Sequence, residues 1–286
     1  MRVAEHWQEY ELLDCTNGER LERWGDLLLI RPDPQVIWTS PRQNPLWAKA
    51  HARYHRSTSG GGCWENMRAI PKQWHVRYGS LTFLIEPMGF KHTGLFPEQA
   101  INWDLLTQTI QGTNKPVHVL NLFAYTGGAT LACLAAGARV THVDASKGMV
   151  QRAKENAALS GLQGDRVRWI VDDCIRFAAR EIRRGKRYDI ILLDPPSYGR
   201  GPNGEVWKLE DALDNLCDLC LQLLSDTPLL LLLNSYTTAF SPAVMRYFLA
   251  QKCGLGAKIL SSEIGLPCTA SGLPLPCGAT TQLRFA

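Results

Sequence analysis

The sequence predicts an α/β chain: a mostly parallel sheet wound with helices, preceded by a small β-rich domain. Three observations carry that prediction. From about residue 115, apolar runs of strand length alternate with helix-length stretches, the rhythm of crossover units. Before residue 90, short β-like runs such as Asp26–Ile30 and Ser80–Ile85 are separated by Pro- and Gly-bearing turns. Between Val119 and Thr130 an apolar strand runs into two glycines and a helix of small residues, which lets the backbone approach a ligand beside the free N–H groups of a helix start. The expected boundaries are 1–90 for the small domain, 91–114 for a linker and entry segment, and 115–286 for the α/β domain.

In order, the α/β strands are expected at Val117–Phe123, Arg139–Val143, Val167–Val171, Tyr188–Leu193, Leu229–Asn234, Ala257–Ile264 and Thr280–Phe285, with helices at 127–136, 146–160, 174–186, 206–225 and 241–252. Ser146 reads as the N-cap of the second helix, and Leu273–Gly278, with its two prolines, as a turn before the last strand. The chain has 286 residues, a net charge of +4 and 45% hydrophobic residues, which excludes disordered, collagen-like and coiled-coil classes. Leu229–Leu233 is too short to cross a bilayer. The nine scattered cysteines and a charged N-terminus without a signal peptide are those of a cytoplasmic protein with reduced thiols.

Three acids follow the glycine turn at strand ends. Asp144 closes the second strand, where a carboxylate can accept from both hydroxyls of a ribose. Asp172-Asp173-Cys174 follows the third, where a carboxylate can accept from an adenine amine. Asp194-Pro-Pro-Ser-Tyr198 follows the fourth. In open α/β sheets ligands bind beyond the carboxyl ends of the strands, so all four features converge on one crevice. The spacing is not G-x-G-x-x-G, so the dinucleotide fingerprint is not met. Each acid alone also reads as a helix N-cap.

This order resembles the class I S-adenosylmethionine (SAM)-dependent methyltransferases, over about residues 115–286. The resemblance implies a Rossmann-like sheet, mostly parallel with an antiparallel last strand, and SAM as cofactor. It assigns the glycine turn to Phe123, Ala124, Tyr125, Thr126, Gly127 and Gly128, the ribose acid to Asp144 with Ala145 and Ser146 beside it, the adenine acid to Asp173 with Cys174, and the catalytic motif to Asp194, Pro195, Pro196 and Tyr198. More narrowly, the chain looks like the ribosomal-RNA large-subunit methyltransferase group with an Asp-Pro-Pro-x-aromatic motif. That group carries a Lys-x-Thr-Gly segment upstream, here Lys91–Gln99, which would put Phe96 and Gln99 near the cofactor or substrate pocket; the other reading is an interdomain linker.

The motif suits methyl transfer, an in-line displacement in which the protein chiefly holds donor and acceptor in near-attack geometry. Asp194 can orient an amine or a guanine edge. Pro195-Pro196 fixes φ and leaves the preceding carbonyls as rigid acceptors. Tyr198 can stack on a base, a contact worth about 1–3 kcal/mol. Ser197 separates the second Pro from the aromatic, unlike the Asp-Pro-Pro-Tyr amino-methyltransferases. In the C5-cytosine members of the similar group a Cys lies after the fifth strand; here Asn234-Ser235-Tyr236 stands there, so C5 chemistry, which needs a thiolate, is disfavoured against nitrogen. Cys217 and Cys220 read as core thiols, one C-x-x-C without a second pair is a poor metal site, and His92, His118 and His142 are dispersed, so no metal is expected. Gly199–Trp207 reads as a mobile loop at the catalytic mouth, with Arg200 placed for a phosphate.

Between Arg42 and Tyr78 seven Lys/Arg stand against one acid, Glu65, interleaved with Trp47, Tyr54, Trp64, Trp74 and Tyr78. Cations beside aromatics suit nucleic acid, so Arg53 and Arg56, with Arg200, Phe96 and Ser235, are expected to meet an RNA substrate; a solvated basic face is the plainer reading. Ser57–Gly62 reads as a flexible loop. The function expected is SAM-dependent methylation of a base in RNA, ribosomal RNA foremost. The alternatives are a protein or small-molecule methyltransferase, a nicotinamide-dependent oxidoreductase and a non-catalytic RNA-binding protein.

Overall fold

A computed structural model describes residues 1–57, 61–89, 91–200, 206–237, 239–253 and 257–285, with the Arg200 side chain also outside the description. The middle of the expected Ser57–Gly62 loop and of the Gly199–Trp207 loop therefore lies outside the described residues. The chain divides into two compact units, Met1–Ile101 with Gly265–Cys277, and Asn102–Ile264 with Gly278–Ala286.

The first unit holds strands β1 (Arg2–Val3), β2 (Tyr10–Thr16), β3 (Glu19–Trp24), β4 (Leu27–Pro32), β5 (Ala52–Arg56), β6 (Gly62–Asn66), β7 (Trp74–Tyr78) and β8 (Leu81–Ile85). Strands β2 to β6 form one sheet in sequence order, and β7 pairs with β8. Asn17-Gly18 turns β2 into β3 with positive φ at both residues, 54° and 76°, which is why Asn-Gly stands there. Leu13, Leu21, Leu28, Ile30, Trp47 and Ala50 form a core on this sheet.

Charge is also buried here. Glu22 is fully buried and accepts from Tyr10 Oη at 2.7 Å and from Arg31 Nε at 2.5 Å and Nη2 at 2.7 Å, with Arg20 at 3.3 Å. Burial alone would raise its carboxyl; Arg20 and Arg31 outweigh that and hold it at about 2.

The second unit contains α1 (Ala100–Gln111) from Asn102 onward, β9 (His118–Leu122), α2 (Gly128–Ala135), β10 (Arg139–Asp144), α3 (Lys147–Leu159), β11 (Val167–Val171), α4 (Cys174–Arg183), β12 (Ile190–Leu193), β13 (Tyr198–Arg200), β14 (Val206–Lys208), α5 (Leu209–Gln222), β15 (Leu230–Ser235), α6 (Pro242–Cys253), and most of β16 (Lys258–Pro267) and β17 (Pro274–Arg284). The strand order is β16-β17-β15-β12-β9-β10-β11. The pairs from β15 through β11 are parallel and β15–β17 is antiparallel. This is the expected fold class.

Alternation along the central strands sorts side chains into two cores. Leu120, Leu122, Ile191, Leu193, Leu231 and Leu233 pack with α4, α5 and α6. Val119, Val140, Ile190, Leu192, Leu230 and Leu232 pack with α1 and α2. Both faces being covered is why these strands read as unbroken apolar runs; each fully buried aliphatic contributes about 1.5–3 kcal/mol. At the amino end of β12, Asp189 accepts from Lys115 Nζ at 2.8 Å, Ser225 Oγ at 2.8 Å and the His118 N–H at 2.9 Å, tying β12 to β9 away from the strands' carboxyl ends.

The structure differs from the expected boundaries in four places, the first being that the helix expected over 206–225 begins as strand β14 and turns helical at Leu209. Residues 102–111 are helix α1 rather than linker: Asn102 bonds Asn234 and Thr280 at 3.1 and 3.0 Å, and Leu105, Leu106 and Ile110 enter the core. Gly265–Cys277 belongs to the first unit, where Leu12 bridges Cys268 and the Ala4 N–H meets the Gly265 carbonyl. Pro274–Gly278 is the start of β17 rather than a turn. The β15 partners reach only to Ala279, so Pro274 and Pro276 lie beyond them and lose no ladder bond on that side.

Candidate active site

The four parallel strands β12, β9, β10 and β11 end on one edge of the sheet. They deliver there, side by side, Asp194, the Phe123–Gly128 turn, Asp144 and Asp172-Asp173. The turn is strained: Phe123 and Tyr125 take left-handed φ of 57° and 49°, and Gly127 of 89°. Such non-glycine residues cost about 1–3 kcal/mol each and collect at functional sites. Side-chain acceptors hold them. The Phe123 N–H donates to Cys174 Sγ at 3.3 Å and the Tyr125 N–H to Asp144 Oδ2 at 2.8 Å, while the Ala124 N–H reaches the Val143 carbonyl at 3.0 Å. Asn156, fully buried on α3, donates to the Thr126 carbonyl at 2.9 Å.

The N–H groups of Phe123, Ala124, Tyr125 and Gly127, in the turn before α2, are paired within the protein. The glycines answer to backbone and packing. Gly127 needs its positive φ, and a Cβ on Gly128 would stand 2.5 Å from the ring of Trp103 on α1.

Asp144 is half-buried and braced on both sides, Oδ2 by Tyr125 and Oδ1 by the Ser146 N–H at 2.8 Å. Burial raises its carboxyl, and the two backbone N–H groups oppose that rise. Each oxygen keeps a second acceptor direction, the disposition that a pair of vicinal hydroxyls requires. Ala145 and Ser146 are exposed beside it, and Ser146 caps α3 through Met149 N at 3.4 Å. Asp173 is exposed and caps α4, accepting from the Arg176 N–H at 2.8 Å, whereas Asp172 pairs with Arg180. Cys174 is buried and its thiol is raised by burial, so it braces the turn as a neutral acceptor.

On the other flank, Pro195 is buried, Pro196 exposed, and the Tyr198 ring is 53% exposed at the start of the β13–β14 ribbon. Trp207 on that ribbon donates Nε1 to the Pro196 carbonyl at 2.6 Å and lies tilted against the Phe123 ring at 5.0 Å. The Pro196 carbonyl is thus engaged within the protein. Ser197 Oγ meets Thr237 Oγ1 at 2.5 Å, and Ser235, expected to meet substrate, is buried with its hydroxyl accepting from the Thr237 N–H at 3.2 Å. Thr237, Asn156 and Trp103 are supports that sequence reading did not assign; Trp207 was expected only to pack at the return of its loop.

Several further expected residues belong to the first unit. Phe96 caps a short 3-10 turn at Pro97–Gln99 in the first unit, its ring 5.3 Å from His92, and Gln99 is buried in that turn. Arg53 is committed to Glu19 at 2.7 Å, and Arg42 to the same carboxylate at 2.9 Å. Arg77 pairs with Glu9 at 3.0 Å. The rings expected to face bases serve the fold: Trp47 and Tyr54 are buried, and the indole N–H groups of Trp47, Trp64 and Trp74 bond Asp14, Met88 and Trp24. Lys49, Arg56, Arg68 and Lys72 are exposed. Arg200 is described only by its backbone, opposite Val206.

Among the described residues no helix is long and apolar enough to cross a membrane, and no group of three or more His, Cys, Asp or Glu could hold a metal. His142 is buried, pushed down to about 3 by burial, and its Nδ1 pairs with Thr130 Oγ1, so it is a neutral core residue.

Comparison with known proteins agrees with this geometry. The profile of the S-adenosylmethionine-dependent methyltransferases matches residues 35–245. The crystal structure of a SAM-dependent methyltransferase from Agrobacterium tumefaciens is 36% identical, covers 99% of this chain and 92% of its own, and superposes with a TM-score of 0.92. A chain described as a methyltransferase and solved with SAH is 17% identical, with 98% and 76% coverage and a TM-score of 0.78, a likeness of fold. The ribosomal RNA large subunit methyltransferase K/L of Shewanella baltica is 34% identical over 159 residues, 53% of this chain. The chain spans about a fifth of the length of the curated relatives it matches, 21% for that protein. A profile match over most of the chain, and a solved relative alike from end to end, establish that the chain belongs to the S-adenosylmethionine-dependent methyltransferase family.

Proposed function

We propose that the chain methylates a base in RNA, ribosomal RNA foremost, in the cytoplasm, with the acceptor held at Asp194-Pro-Pro-Ser-Tyr198. The observation that carries this reading is the pairing, on one sheet edge, of a braced ribose-type carboxylate with an Asp-Pro-Pro loop that leaves the Tyr198 ring 53% exposed. The name of the Shewanella relative supports the substrate class.

The residues present fit SAM. Asp144 would accept from the ribose hydroxyls, Asp173 from the adenine amine, and the Phe123–Gly128 turn with Ala145, Ser146 and Cys174 would form the floor. Bound there, SAM supplies an electrophilic methyl group on a sulfonium. The protein's part is placement. Tyr198 stacks on the flat acceptor, Asp194 orients its nitrogen, and Trp207 keeps the Pro196 carbonyl and the Phe123 ring in fixed relation, so that acceptor loop and cofactor turn hold one geometry. An acceptor with its own lone pair needs no base before attack, in keeping with the neutral Cys174 and His142. Phe96, Gln99, Arg56 and Arg200 are proposed as further substrate or cofactor contacts, with Arg53 acting through its Glu19 pair.

The test is transfer of labelled methyl from SAM to total RNA from cells lacking the protein, followed by mass analysis of the modified nucleotide. Asp194→Ala abolishes transfer while SAM affinity stays within a few-fold. Label entering protein or small molecules and not RNA would move the substrate elsewhere, and normal turnover by Asp194→Ala would remove that residue from catalysis.

A further inference from the structure

The nine cysteines are not alike. Burial raises the thiols of Cys133, Cys174, Cys217 and Cys220, which lie in the α/β core. Cys15 and Cys268 differ. Both belong to the first unit, 253 positions apart in sequence, and their sulfurs stand 3.8 Å apart. The backbone fixes that approach. Leu12 of β2 bridges Cys268, and the Thr269 and Ala270 N–H groups donate to the Leu12 and Leu13 carbonyls at 3.0 Å each. The Cys268–Leu273 turn is thereby docked onto β2 with the two thiols face to face.

Cys15 donates to Cys268 across the 3.8 Å contact, and that bond, against the opposing effect of burial, lowers the Cys268 thiol. Cys15, the donor, is raised. A donor beside a sulfur favours its thiolate, the nucleophilic form. Cys268, itself buried, stands in the wall of a surface groove with Trp7, Tyr10, Leu12, Pro267 and Thr269.

We propose that Cys15 and Cys268 form a redox-active dithiol whose oxidant is a hydroperoxide, with Cys268 the attacking and Cys15 the resolving residue. The Cys268 thiolate attacks the distal peroxide oxygen; the O–O bond breaks, and the alcohol or water leaves with a proton, giving a sulfenic acid on Cys268. Cys15 sulfur then attacks Cys268 sulfur; the S–O bond breaks, and hydroxide leaves as water with the Cys15 proton. Two thiols lose two electrons to form one disulfide, and the hydroperoxide gains them. The sulfurs close from 3.8 Å to the covalent distance of about 2.05 Å as the bond forms. Thiol exchange reverses the bond, the behaviour of a transient cytosolic disulfide.

The experiment treats the reduced full-length chain, folded, with hydrogen peroxide at stoichiometric ratio, alkylates the remaining thiols and maps peptides without reduction. The expected product is one crosslink joining the Cys15 and Cys268 peptides, with the mass of two hydrogens lost from the intact protein. It is reversed by dithiothreitol and absent from Cys15→Ser and Cys268→Ser. In Cys15→Ser a sulfenic acid stays trapped at Cys268 and is captured by dimedone. Because the wild-type map alone decides the pairing, poor folding of either variant leaves the test intact. Alkylation of both Cys15 and Cys268 after peroxide treatment, or a crosslink that joins other cysteines, would overturn the proposal.

Discussion

The carboxyl edge of the parallel sheet and the N-terminal β-sheet both place acids at crowded positions, and they spend them differently. Asp144 is held by two backbone N–H groups and keeps acceptor capacity toward the crevice. Glu22 is surrounded by Arg20, Arg31 and Tyr10 and is consumed by the fold. The same contrast holds for cations. Arg53 and Arg42 are bound by Glu19 and Arg77 by Glu9, while Arg56 and Lys72 stand exposed. The lesson is that a charged residue is available for a ligand when backbone dipoles position it, and unavailable when an opposite charge does.

The sharpest way to break that comparison is Glu22→Gln. It leaves two buried guanidinium groups short of their countercharge and should cost about 3–5 kcal/mol in denaturant unfolding. The pH dependence follows from the carboxyl being lowered to about 2: its stabilisation is full above the unfolded value of about 4.3 and is lost as pH falls toward the folded value. Wild type should therefore lose its advantage over Glu22→Gln between roughly pH 4.5 and 2. An advantage that does not change with pH would show that Glu22 is not the carboxylate at work.

Asp144→Ala is the counterpart at the site. SAM affinity by calorimetry should fall at least tenfold, about 1.4 kcal/mol, in a protein that stays folded. Unchanged affinity would leave Asp144 a turn brace like any other. Trp207→Phe keeps a ring against Phe123 and removes the N–H from the Pro196 carbonyl. A single hydrogen bond is worth about 1 kcal/mol, so kcat should drop several-fold with the KM for SAM nearly constant. A rise in KM alone would assign Trp207 to cofactor binding. The smallest effect concerns the basic segment. Arg56→Gln and Lys72→Gln should each lower the salt slope of RNA affinity by about one, and Arg53→Gln by less, since its charge is already answered by Glu19. Equal slopes for all three would erase the distinction between paired and exposed cations.

Much of the sheet edge was legible in sequence because its parts are local. Ser146 capping α3, Asp173 capping α4 and Asp194 leading into two prolines each follow an apolar run directly, and a parallel sheet with both faces covered announces its strands as such runs. Helix α1 stood where a linker was expected, and the Trp103, Leu106, Ile110 spacing is the signal that would have revealed it. The short β13–β14 ribbon and the Trp207 contact were not legible. Three-residue strands carry no periodicity, and an indole reaching back to Pro196 leaves no trace in composition.

The α/β class, the order of seven strands of the large sheet and the acids at their ends are readable along the chain, since these depend on periodicity and on neighbours a few positions away. Only the tertiary structure decided which charges remain available. Glu19 meets Arg53 across 34 positions, Trp103 fills the space beside Gly128, and Cys15 meets Cys268 across 253. Counter-ions, packing and sulfur contacts act over ångströms, and separation along a chain says nothing of that distance until the backbone has folded.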